Sequence, residues 1–307
     1  MKTRSYNINI FQSSNQVRHA GSLRRGTAPA EQTNPEHLPF AAVRNPGDLL
    51  LDDLGDGAWG HDADRRWWGF NGLFGGYLVS LAAVACEATV ADPARPLRGI
   101  TMQFLRPAPE GRIRIEVTIE QAGRSVSFLS GRMSAGGKLC AHFLATAATD
   151  QDGQEFTNRT MPDVPAFAET PAEGMPRIFA LPVFELFEER EIHRDGSSVL
   201  VWVRPRFETL IDLPLLLMVC DVVPPVAIGR VSDPHLAGTI TLTAHLRAPL
   251  PVPHSAGEPV LVELHTASSS GGHVDETAFA WSPDGRLLAE SHQIRFLRRA
   301  REGFIGH

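Results

Sequence analysis

The sequence predicts an α+β protein built from two similar halves. Each half contains one apolar segment with the composition of a buried helix, and four short runs of β character follow that segment. Short sequence matches also recur at equivalent places in the two halves. A chain of 307 residues is long enough for two domains of ordinary size. We therefore expect two tandem copies of one α+β unit.

The first half opens with a predicted helix over residues 74–90, which is rich in Ala and Leu and begins with the pair Gly75-Gly76. Turn residues then divide the chain into β-like runs that alternate apolar and polar positions. We predict strands over residues 100–105, 112–120, 125–133 and 138–147.

The second half repeats this order after a first strand at residues 199–206. An apolar run over residues 211–229 predicts its helix. The strands that we predict after this helix are residues 239–246, 260–266, 274–281 and 286–296.

Two sequence matches indicate an internal duplication. Residues 101–107 (TMQFLRP) resemble residues 243–249 (TAHLRAP) at an offset of 142, and residues 137–141 resemble residues 285–289 at an offset of 148. A sheet that curls around one helix leaves an unpaired edge, and two such sheets side by side can pair their edges. We therefore expect one continuous sheet formed by both copies.

The domain boundaries follow from composition. Residues 1–40 are polar and without periodicity, which predicts a disordered extension, and residues 41–150 form the first repeat. Residues 151–175 are rich in Pro, Glu, Asp and Thr and predict a linker. The second repeat then covers residues 176–299, and residues 300–307 form a tail.

Charge and composition exclude several classes of function. The net charge of −6 does not favour a nucleic-acid partner, and no apolar stretch reaches the ~20 residues of a membrane-spanning helix. The first residues contain no apolar core of a signal peptide. Cys86, Cys140 and Cys220 all lie in apolar runs, which indicates reduced core thiols and a cytoplasmic protein.

The two copies differ at three positions that suggest a site. Asp221 interrupts the apolar second helix, Thr239 opens the next strand and Gln293 lies in the last strand. The offsets place Val79, Leu97 and Ala145, all apolar, at the equivalent positions of the first copy. A carboxylate, a hydroxyl and an amide can together hold a water molecule, as in a hydrolase whose nucleophile is water.

Each of these residues also has a structural interpretation. Asp221 can cap or kink its helix before Pro224-Pro225, Gln293 can lie on a solvated face, and Thr is a good strand former. The glycine pair can serve tight helix-to-sheet packing. The sequence contains no Gly-x-Ser-x-Gly, no Walker A loop and no His-Glu-x-x-His. One Gly-x-Gly-x-x-Gly occurs at residues 55–60, but a charged run with two tryptophans follows it rather than an apolar helix, which argues against a dinucleotide site.

The ordered set of residues resembles the double-hotdog acyl-CoA thioesterases of the bacterial type II kind. That family has an Asp on the second helix, a Thr ten residues before a Pro, and a Gln in the last strand followed by a basic residue. Here these are Asp221, Thr239 with Pro249, and Gln293 with Arg298. In the first half, Leu73-Phe-Gly-Gly76 resembles the start of the family's first helix. The Asp-His pair that family members carry soon after the Thr is replaced by Ile-Thr-Leu-Thr, so their acyl-chain preference cannot be transferred.

The resemblance implies an acyl-CoA thioesterase with a double-hotdog fold, two tandem repeats whose helices are wrapped by one continuous antiparallel sheet. It implies Asp221, Thr239 and Gln293 as catalytic residues and Gly75 and Gly76 as the oxyanion site. The expected partners are an acyl-CoA substrate and a second copy of the chain in a homodimer. Neither a metal nor a cofactor is expected, since CoA is part of the substrate. Two alternatives stay open, a non-catalytic acyl-CoA-binding protein and a hotdog-type enoyl-CoA hydratase, which the segment Asp233-Pro-His235 weakly resembles.

Overall fold

The structure, a computed structural model, describes residues 49–172, 181–230 and 235–299. The predicted extension 1–40 and the tail 300–307 lie outside these residues. Two α-helices lie in the described ranges, α1 (Gly75–Val90) and α2 (Leu213–Val222). The strands are β1 (Asp52–Gly55), β2 (Ala58–Ala63), β3 (Leu97–Phe104), β4 (Gly111–Ala122), β5 (Val126–Ala135), β6 (Lys138–Ala148), β7 (Phe187–Arg194), β8 (Ser198–Pro205), β9 (His235–Leu246), β10 (Val260–His265), β11 (Ser269–Ser270), β12 (His273–Trp281) and β13 (Leu287–Arg299).

All the strands join one sheet, and its order shows the duplication. The path runs β1-β2-β4-β5-β6-β3-β9-β13-β12-β10-β8-β7, with the short β11 paired to β12. The sheet therefore contains six strands of each half in mirrored order. The first-half strands run outward from β3, and the second-half strands run outward from β9. The four strands predicted after each helix are confirmed. The strands β1, β2 and β7, which precede the helices, were missed because they are short or carry mostly charged and polar side chains.

The seam between the halves is the antiparallel pair β3–β9. Thr101 lies opposite Thr243 in this pair, and their Oγ1 atoms are 3.0 Å apart. These are the two residues matched by the offset of 142, so a pseudo-two-fold axis passes between them. The expectation of one continuous sheet across both copies is confirmed.

The two helices contact each other inside the curved sheet. Most residues of both are buried, in keeping with their apolar sequences. α1 ends at Ala91, which adopts a left-handed conformation with φ of 52°. Asp212 caps α2 by accepting the Leu215 N–H.

The predicted extent of the second helix, residues 211–229, was wrong. α2 ends at Val222 because Pro224 and Pro225 follow. A proline offers no N–H and disfavours helical backbone at the residue before it. A short 3₁₀ turn at Val226–Arg230 occupies the remainder of the apolar run.

The segment between the halves packs on the second half. Residues 151–166 contain no helix or strand, and we call residues 151–172 the strap. The strap covers the side of the second-half sheet that faces away from the helices, where Met161, Val164 and Phe167 pack around Trp202, Leu261 and Trp281. The boundaries of the predicted linker stay a prediction.

Two further expectations concern the thiols and the membrane. Cys86, Cys140 and Cys220 are buried and form no disulfide, as expected for core thiols. Neither helix of the described ranges has the length and apolar character needed to span a membrane.

Candidate active site

Asp221 lies in the last turn of α2, where its carboxylate meets the first turn of α1. The residue that precedes α1, Phe74, provides no side-chain cap, and Asp221 takes that place from the other half: its Oδ2 accepts the Gly76 N–H at 2.9 Å. A Cβ atom on Gly75 would lie 2.6 Å from the same oxygen. The absence of a side chain at position 75 therefore makes room for the carboxylate, and the N-terminus of α1 favours its negative charge.

Thr239 reaches Asp221 because of a β-bulge. Along β9, Leu242 pairs with Gln293 and Thr241 pairs with Ile294, but Arg295 pairs with Thr239, so Ile240 is the extra residue. A bulge reverses the alternation of side chains beyond it. The Thr239 Oγ1 atom consequently lies on the inner face, 3.4 Å from Asp221 Oδ1.

Gln293 is buried behind Thr239 and fixes its hydroxyl. The Gln293 Nε2 group donates to the Cys220 carbonyl at 2.9 Å, in the last turn of α2, where carbonyl groups lack helical partners. The Oε1 atom of the same amide therefore faces Thr239 and accepts its hydroxyl proton at 3.0 Å. The single hydroxyl proton of Thr239 is thus directed to Gln293, while the Thr239 oxygen stays in close contact with Asp221 Oδ1, so the three side chains form one polar cluster.

Two charged residues of this group were missed by the sequence analysis. Arg295 is only 5% exposed and Glu276, on β12, only 1%. The Arg295 side chain directs a different nitrogen to each of three partners: Nε to a Glu276 oxygen, Nη1 to Thr239 Oγ1 at 3.1 Å and Nη2 to Asp221 Oδ1 at 3.3 Å. The second oxygen of Glu276 accepts the Val226 N–H at 2.9 Å. Strand alternation was a usable signal, because Arg295 is two residues beyond Gln293 and shares its face.

Burial and charge act in opposite directions on this group. Burial raises the pKa of the Asp221 carboxyl above its ordinary value, although the Arg295 cation, the Gly76 N–H and the side chains of Gln293 and Thr239 all lower it. Burial alone would lower the pKa of Arg295, but Glu276 and Asp221 raise it above its ordinary value. Arg295 is therefore a permanent cation between two carboxyl groups.

A cavity of about 460 Å³ opens beside this group. Asp221, Thr239, Arg295 and Gly75 line its polar end, whereas Gln293 does not reach it. Much of the remaining wall is apolar and includes Phe70, Leu73, Phe74, Leu78, Phe104 and Phe184. Arg106 and Arg298, both exposed residues, also line the cavity. Such a combination of an apolar wall and a few converging polar groups is typical of a small-molecule site.

The equivalent place in the first half is apolar throughout. Strand register identifies the equivalent residues of the two halves. Ile100 on β3 is equivalent to Leu242 on β9, and since Ile100 pairs with Ala145 while Leu242 pairs with Gln293, Ala145 is the equivalent of Gln293. The same comparison matches Leu97 to Thr239, Ala147 to Arg295 and Leu129 to Glu276. The first-half equivalents, all buried, are Val79, Leu97, Leu129, Ala145 and Ala147.

The predicted site residues can now be placed. The structure brings Asp221, Thr239 and Gln293 together and sets Gly75 and Gly76 against the Asp221 carboxylate. Their catalytic roles stay predictions. Asp233 and Pro234, which suggested the hydratase alternative, lie outside the described residues.

Comparison with known proteins gives a consistent result. The sequence model of the acyl-CoA thioesterase N-terminal domain matches residues 64–148, and that of the acyl-CoA thioesterase C-terminal domain matches residues 151–297. No curated protein matches the chain.

Several solved structures share the fold. A protein of Alicyclobacillus acidocaldarius described by its hot dog fold has a TM-score of 0.71 and 23% identity, over 82% of this chain and 96% of that one. An acyl-CoA thioesterase II of Mycobacterium marinum has a TM-score of 0.67 and 19% identity, over 82% and 97%. The tesB protein of Mycobacterium avium subspecies paratuberculosis has a TM-score of 0.68 and 17% identity, over 81% and 96%. With both family domains present in order on one continuous sheet, the chain belongs to the acyl-CoA thioesterase family and has its double-hotdog fold.

Proposed function

We propose that the chain hydrolyses acyl-CoA thioesters to a free acid and CoA by attack of a water molecule that Asp221 and Thr239 hold and that Gln293 positions through the Thr239 hydroxyl. The observation that carries this proposal is that Asp221 and Thr239 lie together at the polar end of an otherwise largely apolar cavity, with Gln293 bound to the Thr239 hydroxyl behind them. Membership of the acyl-CoA thioesterase family supports the substrate class.

Asp221 is the general base in this mechanism. Its raised pKa brings the carboxylate closer to the operating pH, where proton transfer from water is most effective. Thr239 orients the water directly, and Gln293 acts by fixing the Thr239 hydroxyl. The water oxygen bonds to the thioester carbon while its proton passes to Asp221. The C–S bond then breaks, and the CoA sulfur takes up a proton from Asp221.

The oxyanion of the tetrahedral intermediate forms beside the N-terminus of α1. The Gly76 N–H is directed to Asp221, and Gly75, one residue earlier, lines the cavity. The first N–H groups of a helix have no helical partners and favour negative charge. We propose that the Gly75 end of α1 stabilises the oxyanion and that Gly76 holds the base.

The cavity also indicates how the substrate lies. The apolar wall accommodates the acyl chain, and the exposed side chains of Arg106 and Arg298 at the same cavity attract the phosphates of CoA. The reaction needs water and the thioester alone, so we propose no metal and no cofactor. A cytoplasmic location and a homodimer also remain proposals.

The test is Asp221→Asn, which keeps the shape of the side chain and an oxygen for the Gly76 N–H. We expect thioester hydrolysis to fall by about 10²–10⁴, measured as thiol release from a panel of short, medium, long, branched and aromatic acyl-CoAs. Asp212→Asn is the matched control, because Asn caps α2 as well as Asp does, and it should retain activity.

Equal hydrolysis by folded Asp221→Asn and by the unmodified protein would contradict the proposal. Binding of acyl-CoA by the unmodified protein without turnover across the panel would favour the alternative of a non-catalytic acyl-CoA-binding protein.

A further inference from the structure

The buried ion group Glu276–Arg295–Asp221 is not required by the fold itself. The first half builds the same strands and bulge with Leu129 and Ala147 at the positions of Glu276 and Arg295. Burying charges is expensive unless they are paired and hydrogen-bonded. Since the first copy forms without them, the charges at these positions serve something that only the second copy does.

The contacts of Arg295 show what it acts on. Its three nitrogens contact Glu276, Thr239 and Asp221 at once, which only the planar, forked guanidinium allows. Two of those partners, Asp221 and Thr239, line the cavity. Glu276 faces away from it and is anchored by the Val226 N–H, so Glu276 fixes the guanidinium from behind.

We propose that Arg295, held by Glu276, is a positioning residue that keeps Asp221 ionised and keeps Asp221 and Thr239 directed at the water. This inference rests on the proposed role of Asp221 as the base. Glu276 competes with Asp221 for the same cation, so the strength of the Arg295–Asp221 pair depends on the charge of Glu276. The two carboxylates and one guanidinium therefore set the proton affinity of the base together.

Each element packed against Asp221 contributes groups that face its carboxylate. α1 contributes the Gly76 N–H, and α2 contributes the adjacent Cys220 thiol, whose pKa burial raises to about 12, so that it stays neutral near pH 7. β9 and β13 contribute the neutral side chains of Thr239 and Gln293. Arg106 and Arg298 line the cavity as well, but both are exposed. Within the described residues, Arg295 is accordingly the buried charge that contacts this carboxylate, and Glu276 acts on it through Arg295.

Two variants test the proposal by moving the Asp221 titration in opposite directions. Glu276→Gln removes the competing charge and leaves Arg295 to Asp221, so the acid limb of the kcat/KM profile should move to lower pH. The double variant Glu276→Leu with Arg295→Ala installs the residues of the first half, which pack there without charge. Its acid limb should move up by about one pH unit or more, the usual effect of losing an opposite charge within about 4–6 Å.

The matched control is Glu188→Gln, which breaks a pair of similar type at the sheet edge. Glu188 on β7 binds Arg190 and Arg204, far along the sheet order from β13. This variant should leave the pH profile unchanged. Acid limbs that stay in place in both site variants, or that move in the same direction, would overturn the proposal.

A second readout separates this inference from the proposed activity. The Asp221 carboxyl is titrated by carbon-13 NMR in the unmodified protein and the same variants, with Asp221→Asn used to assign its signal. Opposite movements of the midpoint in a protein that hydrolyses no acyl-CoA would support the role of Arg295 and reject the activity. Hydrolysis with an unmoved midpoint would reject the role of Arg295 and leave the activity standing.

Discussion

At the scale of single residues, the site depends on one carboxylate that serves two helices. Asp221 belongs to the last turn of α2 and accepts an N–H from the first turn of α1. The structural interpretation was that Asp221 caps or kinks its own helix, but the helix that the carboxylate caps is that of the other half. A capping role and a role as base are compatible, since Oδ2 faces Gly76 while Oδ1 faces Thr239 and Arg295.

Gly75→Ala tests how closely the carboxylate is confined. The new Cβ would lie 2.6 Å from Asp221 Oδ2, a separation that carbon and oxygen do not tolerate. We expect the carboxylate to move and kcat to fall at least tenfold in steady-state thioester hydrolysis, because a misplacement of about 1 Å can cost ~10² in rate.

Gly153→Ala in the strap is the control, because its Cβ would meet nothing closer than 4.0 Å. Full activity of Gly75→Ala, with a retained fold, would show that the position of the carboxylate does not limit the reaction.

Sequence reasoning identified three of the five polar residues in this group, and the omissions have a physical cause. The comparison of copies identified Asp221, Thr239 and Gln293 because each replaces an apolar residue. Arg295 and Glu276 replace apolar residues too, but arginine and glutamate in strands are common on solvated faces. Their burial became evident only with the register of β13 against its neighbours.

At the scale of elements, the bulge on β9 is what turns Thr239 inward. An equivalent bulge occurs in the first half, where Arg98 is the extra residue between Leu97 and Gly99 in their pairing with β6. The bulge therefore belongs to the repeat, and the second copy uses it for the site. Alternation in the sequence cannot predict it, since counting back from Leu242 places Thr239 on the outer face.

The strap contributes more to the packing of the second half than its composition predicted. Polar and proline-rich sequence predicted a linker, yet Phe167 packs between the guanidinium groups of Arg190 and Arg204, at 4.1 and 4.4 Å from the ring centre. Trp202 also donates its indole N–H to the Pro165 carbonyl at 3.0 Å. These contacts come from a few apolar residues that a composition average conceals.

Phe167→Ala should therefore destabilise the second half. We expect a loss of about 1–3 kcal/mol in the free energy of unfolding, since the apolar contacts and both cation–π contacts disappear. Urea unfolding followed by circular dichroism measures it. Phe156→Ala is the control, because Phe156 is 75% exposed in the same strap and its loss should change stability by less than ~0.5 kcal/mol. Equal stability of the two variants would show that the strap does not hold the sheet.

At the scale of the whole molecule, the β3–β9 seam joins the halves through backbone pairs from Gly99 with His245 to Gln103 with Thr241. The helices of the two halves also contact each other closely. A Cβ atom added at Gly76 would lie only 2.9 Å from the Met218 backbone. The two halves are therefore joined both through the sheet and through the packing of their helices. This part of the fold was predictable, because the offset of 142 already matched the two threonines that face each other.

We expect the two halves to unfold in one cooperative transition. Neither half can lose its seam strand without exposing the edge and the helix of the other. The tryptophans allow a direct test, since Trp59, Trp67 and Trp68 report on the first half and Trp202 and Trp281 on the second. In the double variant Trp202→Phe with Trp281→Phe, fluorescence reports the first half alone, whereas circular dichroism reports both halves. The thermal transitions seen by the two signals should coincide, and the calorimetric enthalpy should equal the van't Hoff enthalpy. Two separated transitions would contradict this expectation.

The apolar equivalents in the first half have a consequence for the free energy of burying the charged residues of the site. An assembly of two identical single-repeat chains must place every ionisable side chain of the pocket in both subunits, and thus desolvate the cluster twice. In one polypeptide the equivalent positions of the two repeats are free of this symmetry. The first repeat carries hydrocarbon side chains there, so the charged cluster is desolvated only once.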